Sequence, residues 1–98
     1  MMEKIIFPDI CVFNNEALET LDIQIELPGV DKHDIDLRFY EDGFYIVAKK
    51  EDTKYMGSYS LIFSVRPEKA IENYSNGLLA INIPYTNPHQ RECECEID

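Results

Sequence analysis

Leu21-Asp22-Ile23-Gln24-Ile25-Glu26-Leu27-Pro28-Gly29-Val30 is the stretch on which the fold turns. Leucine or isoleucine stands at every second position from 21 to 27, with Asp22, Gln24 and Glu26 between them. That is the period-two signature of a strand with one face in a core and the other in water. Pro28-Gly29 then stops it. Asn76-Gly77-Leu78-Leu79-Ala80-Ile81-Asn82-Ile83-Pro84 is the counterpart further along the chain. There Asn76-Gly77 supplies a turn, because both residues tolerate positive φ, and Leu79, Ile81 and Ile83 alternate until Pro84 removes a donor.

Working outward, Ile35, Leu37 and Phe39 alternate with Asp36, Arg38 and Tyr40, and Glu41-Asp42-Gly43 carries the turn of a hairpin. Phe44, Ile46 and Ala48 alternate with Tyr45, Val47 and Lys49. The polar stretch 50–57 reads as a connection, followed by a strand in which Tyr59, Leu61, Phe63 and Val65 face the core. Asp31-Lys32-His33-Asp34 reads as a polar turn, Pro67-Glu68-Lys69 as a short link with one helical turn, and Ile71 to Ser75 as a brief strand. No window keeps an i, i+3, i+4, i+7 apolar pattern, and strands spaced every ~8–12 residues point to an antiparallel sandwich. Its expected core includes Leu27, Phe39, Ile46, Phe63, Leu79 and Ile81. Residues 1–15 read as a short N-terminal arm, apolar without clean periodicity, that can serve as a docking strand. Residues 16–85 form the domain, and 86–98 read as a flexible acidic tail.

Between about Glu16 and Pro84 the chain resembles the alpha-crystallin domain of the small heat-shock proteins. That family ends an early strand with Leu-Pro-Gly-Val and opens its last one with Asn-Gly-Val-Leu. The matching residues here are Leu27, Pro28 and Gly29, then Asn76, Gly77 and Leu79. Either phrase alone is common; both together, with the right alternation between them, are specific. The fold class implied is all-β, an antiparallel immunoglobulin-like β-sandwich.

Composition agrees with a small domain. A chain of 98 residues makes one modest core, burying ~60–65% of the surface its unfolded form exposes. With 19 acidic and 9 basic residues the net charge is -10, which repels phosphate backbones and anionic lipid and argues against nucleic acid and membrane partners. The N-terminal apolar run is too short for a signal peptide, and nowhere do ~18 apolar residues stand together. A cytoplasmic location is expected. Cys11, Cys93 and Cys95 imply no disulfide framework, which fits a reducing compartment.

Several residues invite a chemical reading, and each has a plainer one. His89, Cys93 and Cys95 among glutamates are soft-metal ligands by type, but a single Cys-x-Cys lacks the second pair that closes a tetrahedral site, so no metal is assigned. His33 sits in a polar turn and reads as an exposed titrating group. Ser58 and Ser60 lack a nucleophile elbow, and the glycines are spent on turns rather than on a phosphate-binding loop. No catalytic residues and no cofactor are assigned, and an enzyme is not expected. Tyr40, Tyr45, Tyr55, Tyr59, Tyr74 and Tyr85 fall mostly opposite the core or in connections, where they either bind apolar segments or cover the sheets in cis.

The resemblance implies an ATP-independent holdase of the stress response, which binds unfolded or partly folded proteins and prevents their aggregation. It also implies the client groove, lying between the edge strands Ile35 to Tyr40 and Ile71 to Ser75, with Leu37, Phe39 and Ile71 as its expected lining. The chain departs from the family in its short arm, in a 50–57 loop too short to carry an exchanged strand, in a tail with Ile97 but no second isoleucine, and in Glu72 where alanine is frequent. These departures favour a monomer, homodimer or small oligomer. Two other readings remain open: a CS-type co-chaperone adaptor with one specific partner, and an accessory structural protein of the gas-vesicle type.

Overall fold

The computed structural model describes residues 3–86. Its strands are β1 (Lys4–Ile6), β2 (Ile10–Asn15), β3 (Thr20–Glu26), β4 (Ile35–Tyr40), β5 (Gly43–Lys50), β6 (Thr53–Ser60), β7 (Ile71–Ser75) and β8 (Leu78–Pro84). They form sheet A, in the order β1-β6-β5-β4, and sheet B, in the order β2-β3-β8-β7. Side chains from both sheets meet in one core, which makes the fold the all-β sandwich that the alternation implies. Neighbouring strands are antiparallel, with one exception: β1 runs parallel to β6.

The alternation of β3 becomes burial directly. Leu21, Ile23, Ile25 and Leu27 point inward, as do Leu79, Ile81 and Ile83 on the paired β8, while Phe44, Ile46 and Ala48 face them from sheet A. Phe44, Ile23, Ile25, Leu27, Ile46, Ile83 and Val65 are the largest side chains fully withdrawn from water, each contributing ~1.5–3 kcal/mol of hydrophobic stabilisation. On the outer face of sheet B a polar ladder crosses three strands. Asn82 Nδ2 donates to Thr20 Oγ1 at 2.9 Å and to Asp22 Oδ1 at 2.6 Å, and Asn15 Nδ2 donates to Asp22 Oδ2 at 3.2 Å.

The two diagnostic phrases lie against each other. Asn76 and Gly77 take φ of 51° and 80°, the paired left-handed angles of a two-residue hairpin turn. The Leu27 amide donates to the Gly77 carbonyl at 2.7 Å, so the end of β3 is tied to the turn that starts β8. Gly29 also has positive φ, 78°, where it ends the strand run.

Three expectations are corrected. The stretch 50–57 is not a connection: β5 runs through Lys50, turns at Glu51-Asp52, and β6 begins at Thr53. The strand expected from Tyr59 to Val65 ends at Ser60, and the chain then crosses from sheet A to sheet B. On the way the Leu61 and Val65 amides donate to the carbonyls of Asp42 and Glu41, and Arg66 N–H donates to the Pro84 carbonyl at 3.0 Å. Third, β1 and β2 of the N-terminal arm are members of the two sheets rather than an appendage.

Of the six expected core residues, Leu27, Ile46, Leu79 and Ile81 are buried, whereas Phe39 and Phe63 are half-buried. Phe39 lies on an edge strand and packs on Phe44 at 5.1 Å between ring centroids. Phe63 meets Tyr85 edge-on at 6.1 Å. The tyrosines do not form one outer face: Tyr55 and Tyr59 pair with the inward Ala48 and Phe44, and Tyr85 is buried. The expectations for His89, Cys93, Cys95 and Ile97 lie outside the described residues.

Candidate functional site

Each sheet ends in a strand with one open edge on the same side of the sandwich, β4 in sheet A and β7 in sheet B. Between them lies a groove of about 300 Å³. Its β4 wall carries Ile35, Asp36 and Leu37; its β7 wall carries Glu72 and Tyr74, with Leu79 of β8 between the walls and Lys32 at one end. An open sheet edge offers a row of backbone donors and acceptors, and apolar side chains beside it offer pockets for every second residue of an extended segment.

Tyr74 fixes the geometry of this end. Its hydroxyl lies 2.8 Å from the Leu27 carbonyl and 2.7 Å from the Val30 carbonyl, and its single proton is shared between two acceptors just beyond β3. Burial pushes the Tyr74 phenol above its ordinary value, and the Asp31 carboxylate adds to the rise. Asp31 also starts the one-turn helix Lys32–Asp34 by accepting the His33 amide at 3.0 Å, which holds its carboxyl below the ordinary range. His33 itself is exposed, with Nδ1 3.1 Å from Asp31 Oδ1. On the outer side of β4, Arg38 Nε donates to Asp36 Oδ1 at 3.3 Å.

The expected lining residues part company. Leu37 is in the groove. Phe39 shares the inward face of β4 but lies beyond the groove, in an aromatic row with Phe44 and Tyr59; the last two stack at 5.6 Å. Ile71 pairs with Asn82 in the β7-β8 ladder and so stands on the outer face of sheet B, 67% exposed, beside a shallow depression that also touches Phe13. Glu72 and Tyr74 take its place in the groove. The signal for this was in the sequence: a two-residue Asn76-Gly77 turn pairs Ser75 with Leu78, hence Tyr74 with Leu79 and Glu72 with Ile81. Tyr74 and Glu72 therefore share the face of the core leucine and isoleucine.

A second concavity, about 340 Å³, lies between β2 and the crossing segment after β6. Val12, Phe13, Leu21, Tyr59, Leu61, Phe63 and Tyr85 are among the residues that line it. Among the described residues no group of three or more His, Cys, Asp or Glu side chains is placed to hold a metal ion, and no helix is long and apolar enough to cross a membrane.

This arrangement of strands is that of the small heat-shock proteins. Heat shock protein 16.0 from Schizosaccharomyces pombe superposes with a TM-score of 0.73 at 19% identity, covering 85% of this chain and 90% of that one. The A102D mutant of hsp14.1 from Sulfolobus solfatataricus P2 superposes at 0.72 with 22% identity, covering 83% of this chain and 73% of that chain. The hspA protein from Xanthomonas axonopodis superposes at 0.69 with 15% identity, covering 86% and 96%. No family profile and no curated protein sequence matches the chain. The class defined is thus a fold: the alpha-crystallin β-sandwich of the small heat-shock proteins.

Proposed function

We propose that this chain is a small heat-shock-like, ATP-independent holdase that captures extended, partly unfolded segments in the groove between β4 and β7. The observation that carries the reading is the pairing of two open strand edges with a groove in which Ile35, Leu37, Tyr74 and Leu79 are set among the polar Lys32, Asp36 and Glu72. Backbone pairing gives affinity for any extended chain, and the four apolar and aromatic residues favour segments with apolar side chains at alternate positions. Such a device needs no bound nucleotide and no chemical step, and the chain acts as a binding protein rather than an enzyme. The fold likeness to proteins named as heat shock proteins supports the same reading.

In this account the chain works in the cytoplasm as a monomer or small oligomer. Sheet A closes its β6 edge with its own β1, and the β5-β6 connection is the tight Glu51-Asp52 turn rather than a loop able to reach a neighbour. The test is light scattering of a heat-denatured model client without ATP. The parent chain suppresses aggregation, Leu37→Ser weakens suppression severalfold, and Val47→Ser on the outer face of sheet A does not. Circular dichroism confirms folding of both variants first. Full protection by folded Leu37→Ser refutes the groove and moves the client to the concavity beside β2, where Tyr59 and the apolar arm meet. No protection by the parent refutes the holdase itself and favours an adaptor with one specific partner.

A further inference from the structure

The groove contains a charge that the fold does not use. Glu72 lines it from β7, on the same face as Tyr74, and among the described residues no cation lies within ion-pair distance of its carboxylate. The other carboxylate of the groove, Asp36, already accepts from Arg38. Lys32 lies in the one-turn helix beyond β3, at the end of the groove where Tyr74 reaches Val30. Glu72 precedes Tyr74 by two residues on β7, which runs toward that end, so the anionic position is displaced from it by about 6.8 Å.

Resting on the groove as client site, we propose that Glu72 makes it selective for extended segments carrying a lysine or arginine two positions from an aliphatic residue. An added strand presents alternate side chains to the groove at that same two-residue spacing. When its aliphatic residue sits over Leu37 and Leu79, the side chain two positions along comes over Glu72. A basic side chain there finds an unpaired carboxylate, and an acidic one meets a like charge. The chain's own C-terminal segment does not have this pattern. It carries Glu92, Glu94, Glu96 and Asp98, and two positions before its aliphatic Ile97 stands Cys95. That segment is thereby disfavoured as an occupant of the groove.

The experiment uses two fluorescein-labelled nine-residue peptides in anisotropy titrations with the full chain. One has Leu-Thr-Lys at its centre and the other Leu-Thr-Glu, in otherwise uncharged Gly, Ser and Thr. At low ionic strength the lysine peptide is expected to bind about two- to fivefold tighter, as exposed charge pairs allow, with a smaller margin in high salt. Glu72→Gln removes most of the preference and Glu72→Lys inverts it. Since a chain of net charge -10 attracts any cationic peptide, Glu16→Lys, in the turn before β3, makes the same change in net charge and leaves the preference in place. Equal binding of both peptides, or a preference that Glu16→Lys shifts as much as Glu72→Lys, overturns the selectivity. The client-site reading still stands in that case if Leu37→Ser abolishes binding of both peptides. If neither peptide binds the parent, both inferences fall.

Discussion

Gly77→Ala isolates the contact on which the two diagnostic phrases converge. At φ of 80° an L-residue pays for its Cβ, a cost of about 1–2 kcal/mol. That Cβ also stands 3.1 Å from Pro28 Cα, a backbone atom that cannot swing aside, and overpacking of this kind adds on the order of 1 kcal/mol. The total is about 2–3 kcal/mol, which for a domain of this size lowers the thermal midpoint by roughly 10–20 °C. Gly29→Ala is the control. Its φ is nearly the same, 78°, but the atoms nearest its added Cβ belong to the flexible Lys50 side chain, so only the backbone cost of about 1–2 kcal/mol applies. Thermal unfolding followed by circular dichroism should therefore place Gly77→Ala about 4–8 °C below Gly29→Ala. An unchanged midpoint for Gly77→Ala, or equal losses at the two glycines, refutes the argument that the turn presses on Pro28.

Two further perturbations test neighbouring parts of the sandwich. Tyr74→Phe removes the hydroxyl that serves the Leu27 and Val30 carbonyls, and urea unfolding should show a loss of about 1–2 kcal/mol. The phenol is raised above its ordinary value of 10.0 in the folded chain. Its stabilisation is thus complete below pH 10 and lost as pH climbs through the raised value, and Tyr74→Phe should flatten that alkaline decline. Gly57→Ala places a Cβ 2.5 Å from Phe7 Cε1 and displaces that ring. Hydrogen exchange should then quicken in β1 with a global stability loss under about 1 kcal/mol, because Phe7 is already 60% exposed; exchange unchanged in β1 would show that Phe7 does not hold the strand.

The parts of the fold legible in the sequence are those where one face is dry and the other wet. β3, β4, β5 and β8 show this as strict alternation, and the Asn76-Gly77 turn fixes the last hairpin. β6 escaped because it is polar and weakly buried along its length: Thr53, Lys54 and Ser58 break any apolar rhythm, and Gly57 reads as a turn when it is a gap for Phe7. Leu61 and Phe63 misled in the opposite direction. Their alternation with Ile62 is real, but it serves a crossing segment in which Ile62 is 87% exposed; the β5-β6 ladder ends at Ser60, and the segment rejoins a sheet at the isolated Val65–Tyr85 bridge. The groove was legible as a pair of edges and as Leu37. Ile71 is the apolar residue of β7 with the greatest apparent claim on the groove, but the register set by the turn puts it outward and Glu72 and Tyr74 inward.

Hydrogen exchange of the intact chain, with and without an excess of a partly unfolded client, tests the central claim most directly. Capture in the groove predicts slowed exchange in Ile35–Tyr40 and Ile71–Ser75, where the two open edges gain backbone partners, and no change in the already paired β3 and β8. Client-dependent protection confined to β2 and residues 61–64, or none anywhere, would contradict it.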